Sequence, residues 1–489
     1  MQYGIESIGV KNFRSLKNLD PVEIKPITVL VGENSCGKSS FLRLLPLLKQ
    51  SLEKNIDGPF AFFGEYVDFG DFDTVLNSSA HENKIELVIK GTIKKKNSLH
   101  QKEREKEFAT LAYQVDLVFE KRKEGSVYAS IVNIRLGEDI FLKFVINEHN
   151  YVEKVVINDQ IYNQGKRLVA KYPNNLRSVI PFIVEKGYND GKWISPNVLL
   201  DVKFDAMAEE EKKEVEKKVY GYEIINLQSR KKLIDTCRNI SKKNADSLMD
   251  SIIYSHIPEI LYTLNGEIFF SVENVNYAKP IRANTERYYR YQPEKTSEVS
   301  PDGSNLDQIL ANLTKSEMIE FDAWMKENFK FTVSISGGIL KSINVKLENG
   351  VERNIIDMGY GYTQILPIIV QLWLSIKKKN TGVFPHDIIF AIEQPELHLH
   401  PGFQKKMLKV FCKTISLLKE SEFKTRFLLE THSKVFVNAL GECIENGDIF
   451  PEDVNILVFN NKDGCETTVT QSNFNSDGDL ENWPIGFFN

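Results

Sequence analysis

The spacing of apolar residues divides the chain into stretches of different period. Residues 3–13 and 22–31 alternate between apolar and polar positions, which predicts two strands, and an apolar-periodic helix follows the loop at residues 32–40. Residues 84–157 hold five β-type runs separated by Lys, Asn, Gly and Glu clusters. Their spacing predicts antiparallel strands and not alternating strands and helices.

The rest of the chain is first helical and then alternating. Residues 205–264 show helical spacing without a sustained heptad repeat, which predicts a short helical insertion and no long coiled-coil arm. A strand is predicted at residues 268–275. From residue 351 onward helices alternate with strands, as in an α/β fold on a parallel sheet. Further helices are predicted at residues 304–328, 362–377, 402–418 and 433–445, and strands at residues 331–335, 342–347, 387–392, 425–429, 454–459 and 466–470.

The composition is that of an ordinary globular chain. Of 489 residues, 42% are hydrophobic and 26% are charged, and the net charge of −5 gives no general attraction to nucleic acid or to an acidic membrane. The five cysteines include no C-x-x-C pair, which argues against a zinc site or a disulfide framework and for a reducing compartment. We expect a cytoplasmic protein because the sequence contains no signal-peptide pattern and no apolar run of membrane-spanning length.

The loop at residues 32–40, GENSCGKSS, fits the pattern G-x-x-x-x-G-K-[ST] between a strand and a helix. Its glycines let the backbone curl so that N–H groups and the helix N-terminus face phosphate oxygens. The lysine can reach the β- and γ-phosphates, and the hydroxyl of Ser39 suits a Mg²⁺ ligand. The sequence therefore predicts a nucleoside triphosphate site. Its residues in this loop are Gly32, Asn34, Ser35, Cys36, Gly37, Lys38, Ser39 and Ser40.

Two acidic segments follow apolar strands near the C-terminus. In IIFAIEQPE the acid at the strand end, Glu393, is placed to orient the metal ion and its waters. In FLLETHS the polar His432 at the strand end can hydrogen-bond the γ-phosphate. Arg14, in the segment NFRSL, has two interpretations: a solvated turn residue, or a cation near the nucleotide.

A third segment, DMGYGYTQ, heads a helix that precedes Glu393 in the chain. Two glycines and a hydroxyl at a helix N-terminus make a second anion-binding nest. This nest cannot easily share a nucleotide with the phosphate loop of the same subunit. It could close on a nucleotide that another copy of the chain holds.

The phosphate loop, GYGYTQ, EQPELHLHP and ETHS, in this order, resemble the ABC-type ATPases of the SMC/RecF/OLD-like group. Within that group the chain looks most like stand-alone bacterial ATPases encoded in anti-phage defence loci and in retron-like or two-gene effector systems. Arg14 in NFRSL, the PIRA segment around Arg282 and the ending DLENWPIGFF are similar too. The resemblance is strong over residues 1–75 and 350–489 and weak between them.

The resemblance implies the fold class, α/β, as an ABC/SMC-like P-loop ATPase head with an antiparallel β subdomain and a helical insertion. Residues 1–75 would form the N-terminal part of the head, and residues 76–200 the β-rich subdomain. Residues 201–350 would form the helical insertion and return strands. Residues 351–489 would form the C-terminal part of the head, with the signature, Walker B and switch-histidine segments.

The resemblance also implies a homodimer, or a higher homo-oligomer, that binds ATP with Mg²⁺. Two ATP molecules would lie between the phosphate loop of one subunit and the signature loop of the other. His432 would be the switch histidine, and His398 and His400 would belong to the loop that crosses the interface. The residues that would bind ATP in trans are Gly359, Gly361, Thr363 and Gln364.

Two departures from the group bear on chemistry. Where the wider superfamily has an acid followed by a catalytic glutamate, this chain has Glu393 and Gln394. A glutamine positions water but cannot accept its proton, so Glu396 or substrate-assisted attack must do so, or turnover is slow. A Q-loop glutamine is not identified. The candidate catalytic residues are Glu393, Gln394, Glu396 and His432, and the candidate metal ligands are Ser39 and Glu393.

Three functions are compatible with these features. The leading hypothesis is an ATP-binding and ATP-hydrolysing switch or sensor subunit of a bacterial anti-phage defence system, which controls a separately encoded nuclease or toxin through ATP-dependent head dimerisation. The effector is expected to be separate because too few residues follow His432 for the Toprim nuclease domain of OLD proteins.

One alternative is a DNA-binding or repair ATPase of RecF/SMC type. Lysine clusters at residues 94–96, 102–106 and 377–379 favour it, while the net charge and the absent arm disfavour it. The other is an ATP-binding scaffold with little turnover, as Gln394 suggests.

Overall fold

The computed structural model describes residues 4–54, 56, 58–95, 109–163, 167–173, 177–186, 235, 249–250, 252–282, 286–290, 297–380, 387–418, 424–461 and 466–483. The chain divides into two compact units. The first consists of Met1–Glu23, Leu47–Phe63 and Phe69–Glu273, and the second of Ile24–Pro46, Gly64–Asp68 and Asn274–Asn489. Within the described residues, no helix combines the length and the apolar character that crossing a bilayer requires.

The elements are numbered in chain order. The strands are β1 (Gly4–Phe13), β2 (Leu16–Glu23), β3 (Ile27–Gly32), β4 (Lys84–Lys95), β5 (Ala109–Lys121), β6 (Val127–Leu136), β7 (Ile140–Ile146), β8 (Val152–Ile157), β9 (Gln160–Asn163), β10 (Leu168–Lys171), β11 (Phe182–Glu185), β12 (Val275–Ala278), β13 (Tyr289–Arg290), β14 (Phe331–Gly337), β15 (Leu340–Leu347), β16 (Glu352–Asn354), β17 (Ile388–Glu393), β18 (Thr425–Glu430), β19 (Val454–Asn460), β20 (Thr468–Phe474) and β21 (Leu480–Glu481). The helices are α1 (Lys38–Leu42), α2 (Leu44–Glu53), α3 (Phe72–Val75), α4 (Ile257–Glu273), α5 (Leu306–Asn312), α6 (Lys315–Phe329), α7 (Tyr360–Asn380), α8 (Pro401–Leu418) and α9 (Lys434–Glu445), with 3₁₀ turns at Ile355–Met358 and Pro451–Asp453.

The first unit is built on an eight-stranded antiparallel sheet of order β2-β1-β4-β5-β6-β7-β8-β9. Alternate residues of its strands are buried, and in β7 these are Ile140, Leu142, Phe144 and the last residue of the strand. The five predicted antiparallel strands within residues 84–157 are confirmed as β4 to β8. The lysine cluster at residues 102–106 lies outside the described residues.

The predicted strand at residues 268–275 is wrong, because α4 continues to Glu273 and β12 begins at Val275. Leu264, Ile268 and Val272 recur every four residues and are fully buried. This spacing lines one face of a helix, so packing of that face overrides the β propensity of the aromatic and β-branched residues here. Much of the predicted helical insertion lies outside the described residues.

The second unit is built on a seven-stranded sheet of order β12-β17-β18-β3-β19-β20-β21. The strands β12, β17, β18, β3 and β19 are parallel, and β20 and β21 continue the sheet in antiparallel fashion. β3, from the N-terminal end of the chain, lies between β18 and β19, which come from the C-terminal end. The predicted α/β fold, with one parallel sheet built from both ends of the chain, is confirmed.

The helices predicted for the second unit are also present. Those predicted within residues 304–328 are α5 and α6, and α6 begins with a capping box in which the side chains and backbone N–H groups of Thr314 and Glu317 bond reciprocally. Hydrogen bonds from Lys377 and Thr314 lower the pKa of Glu317 to about 2. α7, α8 and α9 cover the predicted helices near the C-terminus and pack their apolar faces into the core that contains β3, β17 and β18.

A buried ion pair joins the starts of β17 and β18. The guanidinium of Arg426 donates to Asp387 over 2.8 Å, and the two side chains are only 1% and 5% exposed. The other oxygen of Asp387 accepts the backbone N–H of Lys424 over 3.0 Å. These contacts hold in register the two strands that end in Glu393 and Glu430.

We expect Asp387→Ala to lower the free energy of unfolding by about 3–5 kcal/mol, because it leaves the Arg426 charge buried without its carboxylate. Urea unfolding followed by tryptophan fluorescence measures this loss, since Trp324 and Trp373 lie in the same unit as the ion pair. The double variant with Arg426→Met is the control and should recover part of the loss, since it removes both charges. A loss of less than about 1 kcal/mol in the single variant contradicts the assignment.

Candidate functional site

The phosphate loop connects the end of β3 to the start of α1. A Cβ atom at Gly32 would lie 2.4 Å from the carbonyl oxygen of Phe459 and 2.6 Å from the Sγ atom of Cys36, so the close packing against β19 requires glycine. Gly37 has a φ of 97°, in the left-handed region that glycine adopts without strain. Both glycines of the motif therefore have a backbone role.

The loop exposes its middle and buries its end. Asn34 and Ser35 are exposed, whereas the side chain of Cys36 is buried and its carbonyl oxygen accepts the hydroxyl of Thr467 over 2.9 Å. Burial raises the pKa of the Cys36 thiol. Ser40 is half-buried in the first turn of α1. The loop thus presents its polar central residues outward while Cys36 anchors it to the unit.

Lys38 is folded onto its own loop. Its ammonium donates to the carbonyl oxygens of Gly32 over 3.0 Å and Glu33 over 2.6 Å, and the residue is 3% exposed. The next residue, Ser39, donates its hydroxyl to the Oε1 atom of Glu430 over 2.9 Å. The cation and the hydroxyl that the motif predicts for phosphate and metal therefore lie together at the start of α1.

The carboxylate of Glu393 has three donors. The Nε atom of Arg43 donates to Oε1 over 2.6 Å, and its Nη2 atom to Oε2 over 2.7 Å. The hydroxyl of Tyr277 donates to Oε1 over 2.6 Å. Burial acts to lower the pKa of Arg43, but Glu393 raises it above its ordinary value. Burial, followed by the charge of Glu393, raises the pKa of Tyr277. Arg43 at the end of α1 thus ties the phosphate-loop helix to β17.

Glu393 and Glu430 are paired across the parallel strands β17 and β18, so both acids lie at the same edge of the sheet. Glu430 is on the strand next to β3, and Glu393 is one strand further away. Burial and the neighbouring charge of Glu393 raise the pKa of Glu430 to about 7. The edge of the sheet next to the phosphate loop therefore carries two acids, Glu393 and Glu430, whereas the sequence predicts a role for Glu393 alone.

Arg282 connects the end of β17 to α7, the helix that begins in the predicted signature segment GYGYTQ. Its Nη2 atom donates to the carbonyl oxygen of Glu393 over 2.9 Å, and its Nη1 atom to that of Gln364 over 3.3 Å. The amide side chain of Gln364 accepts the N–H of Arg282 and donates to its carbonyl oxygen, each over 3.1 Å. Burial lowers the pKa of Arg282 to about 10. Gln364 is buried in this pairing, and its predicted contact with ATP stays a prediction.

The turn at the start of α7, which carries the predicted signature glycines, is partly open. Gly359 has a φ of 88°, Tyr360 is 70% exposed, and the hydroxyl of Thr363 donates to the carbonyl oxygen of Tyr360 over 2.8 Å. A Cβ atom at Gly361 would lie 3.1 Å from the carbonyl oxygen of His398. A cavity of about 490 Å³ lies against this turn, lined also by His398, His400 and Phe403.

The remaining candidate catalytic residues, Gln394, Glu396 and His432, lie just after the ends of β17 and β18. Gln394 has a φ of 43°, in the left-handed region, and its N–H donates to the carbonyl oxygen of Glu430 over 2.8 Å. The Oε1 atom of Glu396 accepts the backbone N–H of His432 over 2.8 Å. Burial raises the pKa of Glu396, a direction that favours a proton acceptor. Desolvation and the charge of Lys38 lower the pKa of His432.

Arg14 lies in the first unit, whereas the phosphate loop lies in the second. It follows β1 with a φ of 53°, and its backbone N–H donates to the carbonyl oxygen of Val75 over 2.6 Å. The side-chain amide of Asn77 donates to the Arg14 carbonyl oxygen, and the guanidinium lies 5.4 Å from the ring centre of Phe69. The turn is therefore well defined, and a contact between Arg14 and the nucleotide stays a prediction.

The residues at the sheet edge fit a divalent cation that binds together with a triphosphate. Within the described ranges no three His, Cys, Asp or Glu side chains converge as a metal site. A nucleotide-bound Mg²⁺ needs only one or two protein oxygens, because phosphates and water complete its octahedron. The Ser39 hydroxyl lies beside a buried carboxylate, and the Oε2 atom of Glu430 has no donor among the residues that the structure describes.

Three residues of this site were not predicted from the sequence: Arg43, Tyr277 and Glu430. Glu430 carried a signal, because FLLE has the same form as FAIE, an apolar strand that ends in an acid. Arg43 and Tyr277 carried none, since they contact Glu393 from positions 350 and 116 residues away.

Comparisons with known proteins bear on the fold and the family. The AAA ATPase domain family matches residues 4–437, and a family described as a protein of unknown function (DUF3696) matches residues 449–489. None of the curated proteins matches the chain. Among solved structures, the chain is similar to the SMC head domain of Pyrococcus furiosus with an extended coiled coil, bound to the C-terminal domain of ScpA. The identity is 12% over 96% of both chains, with a TM-score of 0.36.

The SMC head domain of Thermotoga maritima is similar at 10% identity over 96% of this chain and 98% of that chain, again with a TM-score of 0.36. The family match spans most of the chain and includes the phosphate loop, the GYGYTQ segment and Glu393. The chain belongs to the AAA ATPase domain family.

Proposed function

We propose that this protein binds and hydrolyses ATP as a switch or sensor subunit of a bacterial anti-phage defence system. The observation that carries the ATPase part is the hydrogen bond from Ser39, at the end of the phosphate loop, to Glu430 on β18. The neighbouring strand β17 ends in Glu393. Family membership supports the same chemistry. The defence part is supported by the resemblance of the sequence segments to stand-alone ATPases of defence loci.

In this proposal the phosphate-loop N–H groups and Lys38 bind the triphosphate. Lys38 would leave the carbonyl oxygens of Gly32 and Glu33 to do so, because phosphate oxygens carry more negative charge than carbonyl oxygens. Ser39 and Glu393 are the predicted protein ligands of Mg²⁺. When bound, Mg²⁺ would neutralise the negative charge that develops on the phosphates during transfer.

Hydrolysis requires a water oxygen to bond to the γ-phosphorus while the bond to the ADP oxygen breaks. Gln394 can orient that water but cannot take its proton. Glu396, with its raised pKa, is the proposed acceptor, and a γ-phosphate oxygen is the other. His432, whose lowered pKa favours a neutral ring near neutral pH, would donate one hydrogen bond to the γ-phosphate.

A second copy of the chain would complete the site. The exposed signature turn, with Gly359 in the left-handed region, is the surface that we propose binds the ATP held by the partner's phosphate loop. ATP would then favour the dimer, and hydrolysis would release it. The proposed output of this cycle is control of a separately encoded nuclease or toxin.

We expect Lys38→Ala to lower ATP hydrolysis by roughly a hundredfold or more and to weaken ATP binding, because it removes the cation that is proposed to bind the triphosphate. Steady-state phosphate release and titration with a fluorescent ATP analogue measure the two effects. Lys405→Ala, on the exposed face of α8, is the matched control and should behave as the native protein. Unchanged hydrolysis in Lys38→Ala contradicts the assigned site. Native protein that binds ATP without turnover would support the scaffold alternative.

Action in trans can be tested by mixing variants. Gly361→Asp places a carboxylate in the proposed signature nest, and Lys38→Ala removes the phosphate-loop cation. Each of these two single variants should be inactive on its own. A 1:1 mixture should recover roughly a quarter of native turnover, because half of the dimers then hold one intact site of two. Gly266→Asp, in α4, is the control, since a Cβ atom there meets nothing within 4 Å. A mixture as inactive as its components contradicts shared sites.

The defence role predicts that deletion of the gene raises the plating efficiency of a sensitive phage. The native allele and the Lys405→Ala allele should both restore protection, and Lys38→Ala should not. Co-purification of the chain expressed from its native operon would identify the effector. Equal plaque counts with and without the gene, across a panel of phages, would remove the defence role and leave the ATPase assignment intact.

A further inference from the structure

Glu430 is the acid nearest to the hydroxyl that the phosphate-loop motif assigns to a metal ion. It lies at the carboxyl end of β18, immediately beside β3, and its residue is 4% exposed. The Ser39 hydroxyl donates to its Oε1 atom over 2.9 Å. The only charged side chain that bonds Ser39 in the structure is thus this carboxylate, as far as the described residues extend.

The second oxygen of Glu430 is buried and lacks a partner. No donor reaches its Oε2 atom among the residues that the structure describes. A buried carboxylate oxygen without a hydrogen bond is unfavourable by a few kcal/mol, and such atoms in native proteins are usually satisfied by water, an ion or a ligand. The atom without a partner lies on the same carboxylate that accepts the Ser39 hydroxyl, so it lies beside the phosphate-loop motif.

Glu393 is in the opposite situation. Both of its oxygens accept hydrogen bonds from Arg43, and one also accepts from Tyr277. Its negative charge is balanced by a guanidinium at close range, whereas no Lys or Arg forms an ion pair with Glu430 in the described part of the chain. A cation that arrives beside Ser39 therefore meets a carboxylate on β18 that has one oxygen without a hydrogen bond, whereas both oxygens of Glu393 on β17 are engaged.

We propose that Glu430 is a carboxylate ligand of the divalent cation that enters with ATP, together with Ser39. Carboxylate and hydroxyl oxygens are the hard ligands that Mg²⁺ prefers. Glu393, the other predicted ligand, is held by Arg43 and Tyr277 on the neighbouring strand and contributes less to metal affinity than Glu430. This inference rests on the proposed function, since it concerns the metal of the same nucleotide site.

The test measures metal binding and not turnover. Full-length native protein, Glu430→Gln, Glu393→Gln and the exposed control Glu442→Gln are saturated with a non-hydrolysable ATP analogue. They are then titrated with Mn²⁺, and free Mn²⁺ is read from its electron paramagnetic resonance signal. Glu430→Gln should raise the Kd for Mn²⁺ by roughly ten- to a hundredfold, and by more than Glu393→Gln does. Analogue binding in EDTA should be unchanged or tighter in Glu430→Gln, because a negative charge near the phosphates is gone.

The outcomes separate this inference from the proposed function. If Glu430→Gln keeps the native Mn²⁺ affinity while Lys38→Ala loses the analogue, the inference is overturned and the ATP site stands, and the partner of Oε2 is then a water molecule. If the native protein does not bind the analogue, the proposed function itself fails. Glu430→Asp keeps the charge on a shorter side chain and covers the case in which Glu430→Gln does not fold. It should bind Mn²⁺ less tightly than the native protein, and native affinity in Glu430→Asp overturns the inference.

Discussion

Parallel pairing of β3 with β18 on one side and β19 on the other is the constraint from which the site follows. Every residue of β3 and β18 is buried, so the register of the three strands is fixed by backbone hydrogen bonds and by packing on both faces. A shift of one residue would turn Glu430 away from Ser39. The phosphate loop, α1 and the two acids are therefore placed by the sheet and not by the loop that carries the motif.

Glu393 is held by neighbouring side chains at both its carboxylate and its backbone carbonyl oxygen. Arg43 and Tyr277 hold the Glu393 carboxylate, while Arg282 holds the Glu393 carbonyl oxygen and the signature helix. Buried charges of this kind are stable only when each has a partner, so loss of one member leaves another unpaired. Because Arg282 bonds both Gln364 of α7 and the end of β17, it joins the first turns of α7 to the segment that carries Glu393.

The sequence predicts those elements and motifs that depend on residues close together in the chain. The phosphate loop, the antiparallel runs of the first unit and the alternating elements near the C-terminus follow from spacing and turn residues over a few positions. Sequence reasoning failed at residues 268–275, where aromatic and β-branched residues favour a strand but long-range burial selects a helix. It also missed Arg43 as the partner of Glu393, because a contact across 350 residues leaves no periodic trace. The roles of Glu393 and Glu430 differ through their neighbours, which only the fold supplies.

The place of β3 between two C-terminal strands also has a consequence for biosynthesis. The phosphate loop leaves the ribosome early, yet its strand has no sheet to join until β18, about 390 residues later, has been made. At bacterial or eukaryotic elongation rates this delay lasts roughly 20–80 s. During that time the apolar segment ITVLV lies outside its native sheet, and such exposed apolar segments promote aggregation unless a chaperone covers them. A ribosome that stalls before β18 therefore releases a fragment that carries the nucleotide motif but lacks the strands that would shape it into a binding site.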